Sequence, residues 1–253
     1  MKKEKLNIEQ IFLLGLESHK KNDLKSAEKF YNDVLDINPN HFNSIFYLAS
    51  LSAQTKNYIK AKNLFEKIIQ IKPNYDVAYA NLGAVLKELG KFNEAVEACR
   101  KATKKPLITK LSPNQTDIAE NAKCCIESGT DGFAVINTMT GMAIDIEKRK
   151  PIIDNNQGGL SGPAIKPIAL LKVHQVYEVA KQYNIPIIGQ GGIRTIEDAI
   201  EFIIAGSTAV GIGTALFYEP LVCSKLNQGI IEYLDKNNLN SISELIGTLK
   251  LNS

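Results

Sequence analysis

The feature that most constrains this chain is a period of 34 residues running through its first hundred positions. Pro39 and Pro73 are one step apart, and the same step links Ala27, Ala61 and Ala95, and Leu14, Leu48 and Leu82. Gly15, Ala49 and Gly83 form another column, as do Tyr31, Phe65 and Cys99, and Val34, Ile68 and Ala102. Such a step is too long for one helix and suits one supersecondary unit stacked on copies of itself. Apolar residues recur at helical spacing in IFLLGLESH and again in AEKFYNDVLDI, so each unit reads as two helices. Polar turns join them at KKND, QTKN and ELGK, and proline in INPN and IKPN ends the second helix. The small-residue columns let the paired helices approach.

These columns resemble the tetratricopeptide repeat, with three repeats at 8–41, 42–75 and 76–105. The resemblance implies an α solenoid over residues 1–104 whose concave groove takes a protein or peptide partner. The columns are core positions and name no ligand. The third repeat runs through EACRKATKK straight into PLITKLSP, with no linker and no capping helix. The apolar face of its last helix therefore needs cover from the downstream part of the chain.

Beyond Lys105, over 105–253, the period changes. Strands are expected at PLITKLSP (106–113), GFAVINTM (132–139), IPIIGQGG (185–192) and TAVGIGTALF (208–217). Helices alternate with them: one capped by Thr116, one from Lys166-Pro167, one capped by Thr195, then PLVCSKLNQGIIEYLDKNN and SISELIGTLK. Alternation predicts four parallel strands in an α/β unit, and near-continuous apolar strands predict burial on both faces. The glycine motifs GGLSGPAIKP, GQGG and GIGT fall at one edge of that sheet, where backbone N–H groups can close on phosphate oxygens.

Six motifs carry a second resemblance: KLSPN (110–114), DGFAVINT (131–138), GGLSGPAIKP (158–167), IPIIGQGG (185–192), GIGTALF (211–217) and PLVCSKL (220–226). Together they resemble the C-terminal half of a class 1B dihydroorotate dehydrogenase, the half of a TIM (β/α)8 barrel that holds its last four strands. Gln190 departs from the residue usual before the double glycine. The resemblance implies FMN-dependent oxidation of dihydroorotate to orotate in pyrimidine synthesis, with an iron–sulphur/FAD partner subunit. It implies that Lys110 lies by the flavin N1/O2 edge, where a cation stabilises the reduced flavin, and that Ile136 packs on the flavin. Asn137 and Thr138 would bind the pyrimidine; Gly162, Gly191, Gly192, Gly213 and Thr214 would hold the FMN phosphate.

The resemblance covers strands five to eight, and the repeat array occupies the place of the first four. Those strands lead to the loop with the family's catalytic cysteine, so no catalytic base is assigned. Cys99 belongs to a core column, Cys124 and Cys125 to the first helix of the second part, and Cys223 to the helix after the last strand. Three readings stand: a dehydrogenase relative with a truncated barrel, a repeat adaptor with a non-catalytic barrel remnant, or a chimeric fusion joined near 103–106 without evolved function. The half-barrel would expose two raw edges, PLITKL and TAVGIG, through which two copies could pair.

Composition adds exclusions. A net charge of +3 and two short basic runs, RKATKK and EKRK, give no footprint for nucleic acid or an anionic membrane. The cysteine and histidine spacings match no metal site. The basic start MKKEKLNIEQIFLLGLES has a short apolar run followed by Glu17 and no small-residue cleavage site, which reads as cytoplasmic with reduced thiols.

Overall fold

The computed structural model describes residues 6–252; the first five residues, which carry the basic start, and Ser253 lie outside the described residues. The chain divides into two compact units, Met1–Lys105 and Pro106–Ser253.

The first unit is three antiparallel helix pairs: α1 (Ile8–Lys20) with α2 (Leu24–Ile37), α3 (Phe42–Gln54) with α4 (Tyr58–Ile71), and α5 (Asp76–Glu88) with α6 (Phe92–Ala102). Each pair turns through a left-handed residue at the same repeat position: Asn22 (φ 59°), Lys56 (φ 60°) and Gly90 (φ 74°). Asp23 and Asn57 then cap α2 and α4 by accepting from the N–H groups of Ser26 and Lys60; Lys91, before α6, makes no such bond. Ala27, Ala61, Tyr31, Phe65, Val34 and Ile68 are fully buried, so the periodic columns are the core. The small-residue column has a steric cause: a Cβ on Gly15 would lie 2.7 Å from the Tyr31 ring, and one on Gly83 2.6 Å from Cys99 Sγ. Burial, and secondarily the neighbouring Tyr47, push the Tyr31 phenol up to about 12.

The second unit is built on β1 (Ile108–Leu111), α7 (Ile118–Glu127) and β2 (Gly132–Val135), then short strands β3 (Met139–Gly141), β4 (Ile144–Asp145), β5 (Lys150–Pro151) and β6 (Gly158–Leu160). It continues through α8 (Lys166–Ala180), β7 (Ile187–Gln190), α9 (Ile196–Ile204), β8 (Ala209–Gly211) and α10 (Val222–Lys236). Four strands make one parallel sheet in the order β1-β2-β7-β8. Leu111 aligns with Val135, Val135 with Gly189, and Gln190 with Gly211, so the carboxyl ends of all four strands share one edge.

Several local expectations are corrected. Asp117, not Thr116, caps α7, because its carboxylate accepts from the N–H of Glu120. The expected strand 132–139 is two elements: β2 stops at Val135, and β3 turns out to pair antiparallel with β6. GGLSGPAIKP is thus strand in its first three residues and loop after them. The strand expected at 208–217 keeps only Ala209–Gly211, and SISELIGTLK forms a single 3-10 turn at Ile242–Glu244. Burial on both faces also fails. Leu111, Phe133, Val135 and Ile187 are buried on the helix-covered face, whereas Ile108, Lys110 and Ala209 on the other are exposed. Four strands do not close on themselves, so helices cover one side and the opposite side stays open.

Gly206 shows how tightly the covered side is packed. It follows α9 with φ +122°, and an added Cβ would collide with the ring of Tyr177 on α8. Gly206→Ala is expected to destabilise the second unit by about 2–4 kcal/mol, from overpacking plus backbone strain. Chemical denaturation followed by near-ultraviolet circular dichroism measures it, and a loss under about 0.5 kcal/mol would refute the packing account.

Candidate functional site

A cavity of about 150 Å³ opens at the carboxyl edge of the sheet. All nine residues assigned from the sequence line it: Lys110, Ile136, Asn137, Thr138, Gly162, Gly191, Gly192, Gly213 and Thr214. Lys110 comes from β1, Ile136–Thr138 from the end of β2, Gly162 from the loop after β6, and the last two pairs from the loops after β7 and β8. Ser161, Gln190, Arg194 and Tyr218 also line it and escaped the sequence reading. Each is within a few residues of a quoted motif, but none has a side chain that spacing alone marks out.

Backbone pairing holds the walls. Asn137 N–H donates to Leu111 O at 2.9 Å and Ile136 N–H to Gln190 O at 3.0 Å, extending the sheet by one residue into the site. Asn114 braces the next turn: its Oδ1 accepts from Thr140 N–H at 3.0 Å and its Nδ2 donates to Thr138 O at 3.3 Å. Thr214 Oγ1 donates to Ser161 Oγ at 2.9 Å, joining the loops after β8 and β6. Gln190, the departure from the family pattern, is accommodated because Gly211 on the neighbouring strand has no side chain; a Cβ there would be 2.9 Å from Gln190 Oε1.

The loop after β7 lies against the loop after β6. Gly192 has φ +84°, and a Cβ on it would be 2.8 Å from Gly162 O and 3.1 Å from Lys166 N. Glycine is needed here for both conformation and approach. Among the described residues, none accepts from the backbone N–H of Gly192, Gly213 or Thr214, which leaves those donors for a ligand. Lys110 and Arg194 are the charged residues of the lining, and no described carboxylate pairs with either. Free donors, two cations and a close glycine cradle fit a phosphate-bearing ligand. No described Cys, His, Asp or Glu lines the cavity.

The cysteines stand elsewhere. Cys125 on α7 is buried, and burial, with Cys124 adding to it, pushes its thiol up to about 11. Burial also raises the Cys99 thiol, in the first unit. Cys223 on α10 is exposed. Alkylation of the native chain near pH 8 is expected to label Cys223 within minutes and leave Cys125 unmodified until denaturant is added; prompt labelling of Cys125 would contradict its packing.

Behind the cavity, Lys166 Nζ contacts Asp198 Oδ1 at 2.6 Å and Glu201 Oε2 at 2.8 Å. Burial alone would raise the Asp198 carboxyl. The Lys166 bond and the N–H groups of Thr195 and Arg194 outweigh it and hold the group below the ordinary aspartate value. The same bonds, Asp198 first and Glu201 second, raise Lys166 above the ordinary lysine value. A depressed carboxyl contributes stability that is complete above its unfolded pKa of about 3.9 and is lost as pH falls through the lower folded value. Thermal midpoints should therefore drop on acidification below about pH 4 less steeply in Asp198→Asn than in the parent chain. Parallel acid limbs would exclude the linkage.

Parallel strands with a glycine-lined anion cleft at their carboxyl ends define a phosphate-binding (β/α)-barrel type of unit. The chain belongs to the dihydroorotate dehydrogenase family. The sequence model of that family matches residues 61–234, and a tetratricopeptide repeat model matches 11–41 and 44–75. The catalytic subunit of dihydroorotate dehydrogenase B (NAD(+)) from Bacteroides thetaiotaomicron is 41% identical over 230 residues, covering 89% of this chain and 73% of that protein. The corresponding subunit from Geotalea daltonii is 51% identical over 158 residues, 62% of this chain and 51% of that protein. The chain thus spans about half the length of several of the curated relatives it matches, 50–51% for those from three organisms. The ligand-free dihydroorotate dehydrogenase of Eimeria tenella shares the fold with a TM-score of 0.53, at 24% identity, over 63% of this chain and 49% of that one. Among the described residues no helix is long and apolar enough to cross a membrane.

Proposed function

We propose that the second unit is a flavin-binding relative of dihydroorotate dehydrogenase that holds FMN but does not turn over dihydroorotate by itself. The observation that carries this reading is the lining of the cavity: Lys110 and Arg194 are cationic, and no thiol, imidazole or carboxylate accompanies them. When bound, FMN supplies a hydride acceptor. Gly162, Gly192, Gly213 and Thr214 would grip its phosphate through backbone N–H groups, and Ile136, 3% exposed, would offer an apolar wall to the ring. Lys110 would set positive charge beside the N1/O2 edge, and Asn137 and Thr138 would bond the polar edge of a pyrimidine. Oxidation of dihydroorotate needs a group that takes the proton lost with the hydride, and this cavity offers none of the usual ones.

Partners are suggested by the same geometry. The sheet edges β1 and β8 are unpaired within the chain, so a second copy, joining β8 of one to β1 of the other, would complete eight parallel strands. An iron–sulphur/FAD subunit would carry electrons onward, as the family resemblance implies. The helical unit favours a second reading, a peptide-binding adaptor, because its three pairs are packed around their own cores.

The experiment is a visible spectrum of the purified chain after adding FMN and removing the excess, with riboflavin in parallel. Retained FMN, with riboflavin lost and no bleaching by dihydroorotate, is the expected result. A colourless protein would overturn the cofactor reading and leave the adaptor; bleaching by dihydroorotate would overturn the missing-base argument.

A further inference from the structure

Lys166 occupies the first position of α8, at the positive end of the helix dipole, where a cation is locally unfavourable. Nothing about helix stability explains it. Its ammonium is instead turned to α9, where Asp198 Oδ1 and Glu201 Oε2 accept at 2.6 and 2.8 Å. Asp198 faces both ways. Its second oxygen accepts from Arg194 N–H at 2.8 Å and Thr195 N–H at 2.9 Å, the last residues of the loop that begins with Gly191 and Gly192. Lys166 itself ends the loop that begins with Gly162, and Gly192 packs against its N and Cβ. One ion pair therefore joins the two glycine loops from behind. The Lys166 and Asp198 side chains are 25% and 13% exposed, so water competes weakly for the pair.

We propose that Lys166 is a positioning residue: with Asp198 and Glu201 it fixes the separation of the Gly162 and Gly192 loops, and thereby tunes the cleft for the phosphate of its ligand. This rests on the flavin-phosphate reading above. Phosphate recognition by backbone donors tolerates little movement, since each N–H must converge on an oxygen at hydrogen-bond distance. Lys166 lies outside the cavity lining and touches no ligand, so its effect is confined to the part of the ligand that the two loops grip.

The test uses the full chain, Lys166→Met and Lys166→Arg, with two measurements. The first is affinity for FMN and for riboflavin by flavin fluorescence. The second is amide hydrogen exchange of the segment from Gly191 to Ile196 in the ligand-free chain. Lys166→Met is expected to weaken FMN binding about tenfold, the equivalent of one charge-assisted hydrogen bond, while riboflavin binding is unchanged. Exchange at Arg194 and Thr195 should accelerate, and Lys166→Arg should restore both. An unchanged ratio of FMN to riboflavin affinity in Lys166→Met overturns the proposal. If the parent chain binds neither flavin, the flavin reading has failed separately. The clamp then rests on exchange: acceleration in Lys166→Met supports it, and unchanged exchange overturns it.

Discussion

In-register parallel pairing of β2 with β7 is the constraint on which the second unit depends. The two strands are joined by more than fifty residues of intervening chain, yet Phe133 faces Ile187 and Val135 faces Gly189. Parallel pairing fixes a common direction, so the loops leaving the strands must emerge at the same edge. Lys110, Asn137, the Gly191–Gly192 pair and Gly213 meet there for that reason, although they are spread over a hundred positions of sequence. An antiparallel arrangement of the same strands would send alternate loops to opposite ends and leave no cleft.

The ligand chemistry of the cleft is set by backbone more than by side chains. Glycine at 192 admits the carbonyl of Gly162 and the N–H of Lys166 at contact distance, and unsatisfied N–H groups face a space bounded by two cations. Such a site selects for charge and shape and is indifferent to proton transfer. Binding and catalysis are therefore separable here: the elements for the first converge, and those for the second are missing from the cavity wall.

Much of this was legible in the sequence, for identifiable reasons. The helical unit was readable because its core columns repeat, and a wrong assignment would have had to be wrong three times. Strand order and the cleft's glycine residues were readable because glycines at strand ends are few and clustered. The misjudged features are those without periodicity. Met139–Gly141 continues the apolar run of β2, and only its pairing with Gly158–Leu160 distinguishes it. The truncation of β8 after Gly211 reflects its position at an edge, which no local pattern encodes. The open face of the sheet is a consequence of strand number, and alternation within a strand such as ITKL carries no information about how many neighbours the sheet will have. The Lys166–Asp198–Glu201 cluster joins residues more than thirty positions apart and has no local signature.

The cleft has a further property. Every residue that lines it falls between Lys110 and Tyr218, on four successive strand–loop segments of one uninterrupted stretch. No part of the wall is borrowed from the helical repeats. The pocket is therefore a heritable cassette: a recombination breakpoint anywhere upstream of β1 transmits it whole, and a single crossover inside it would destroy it.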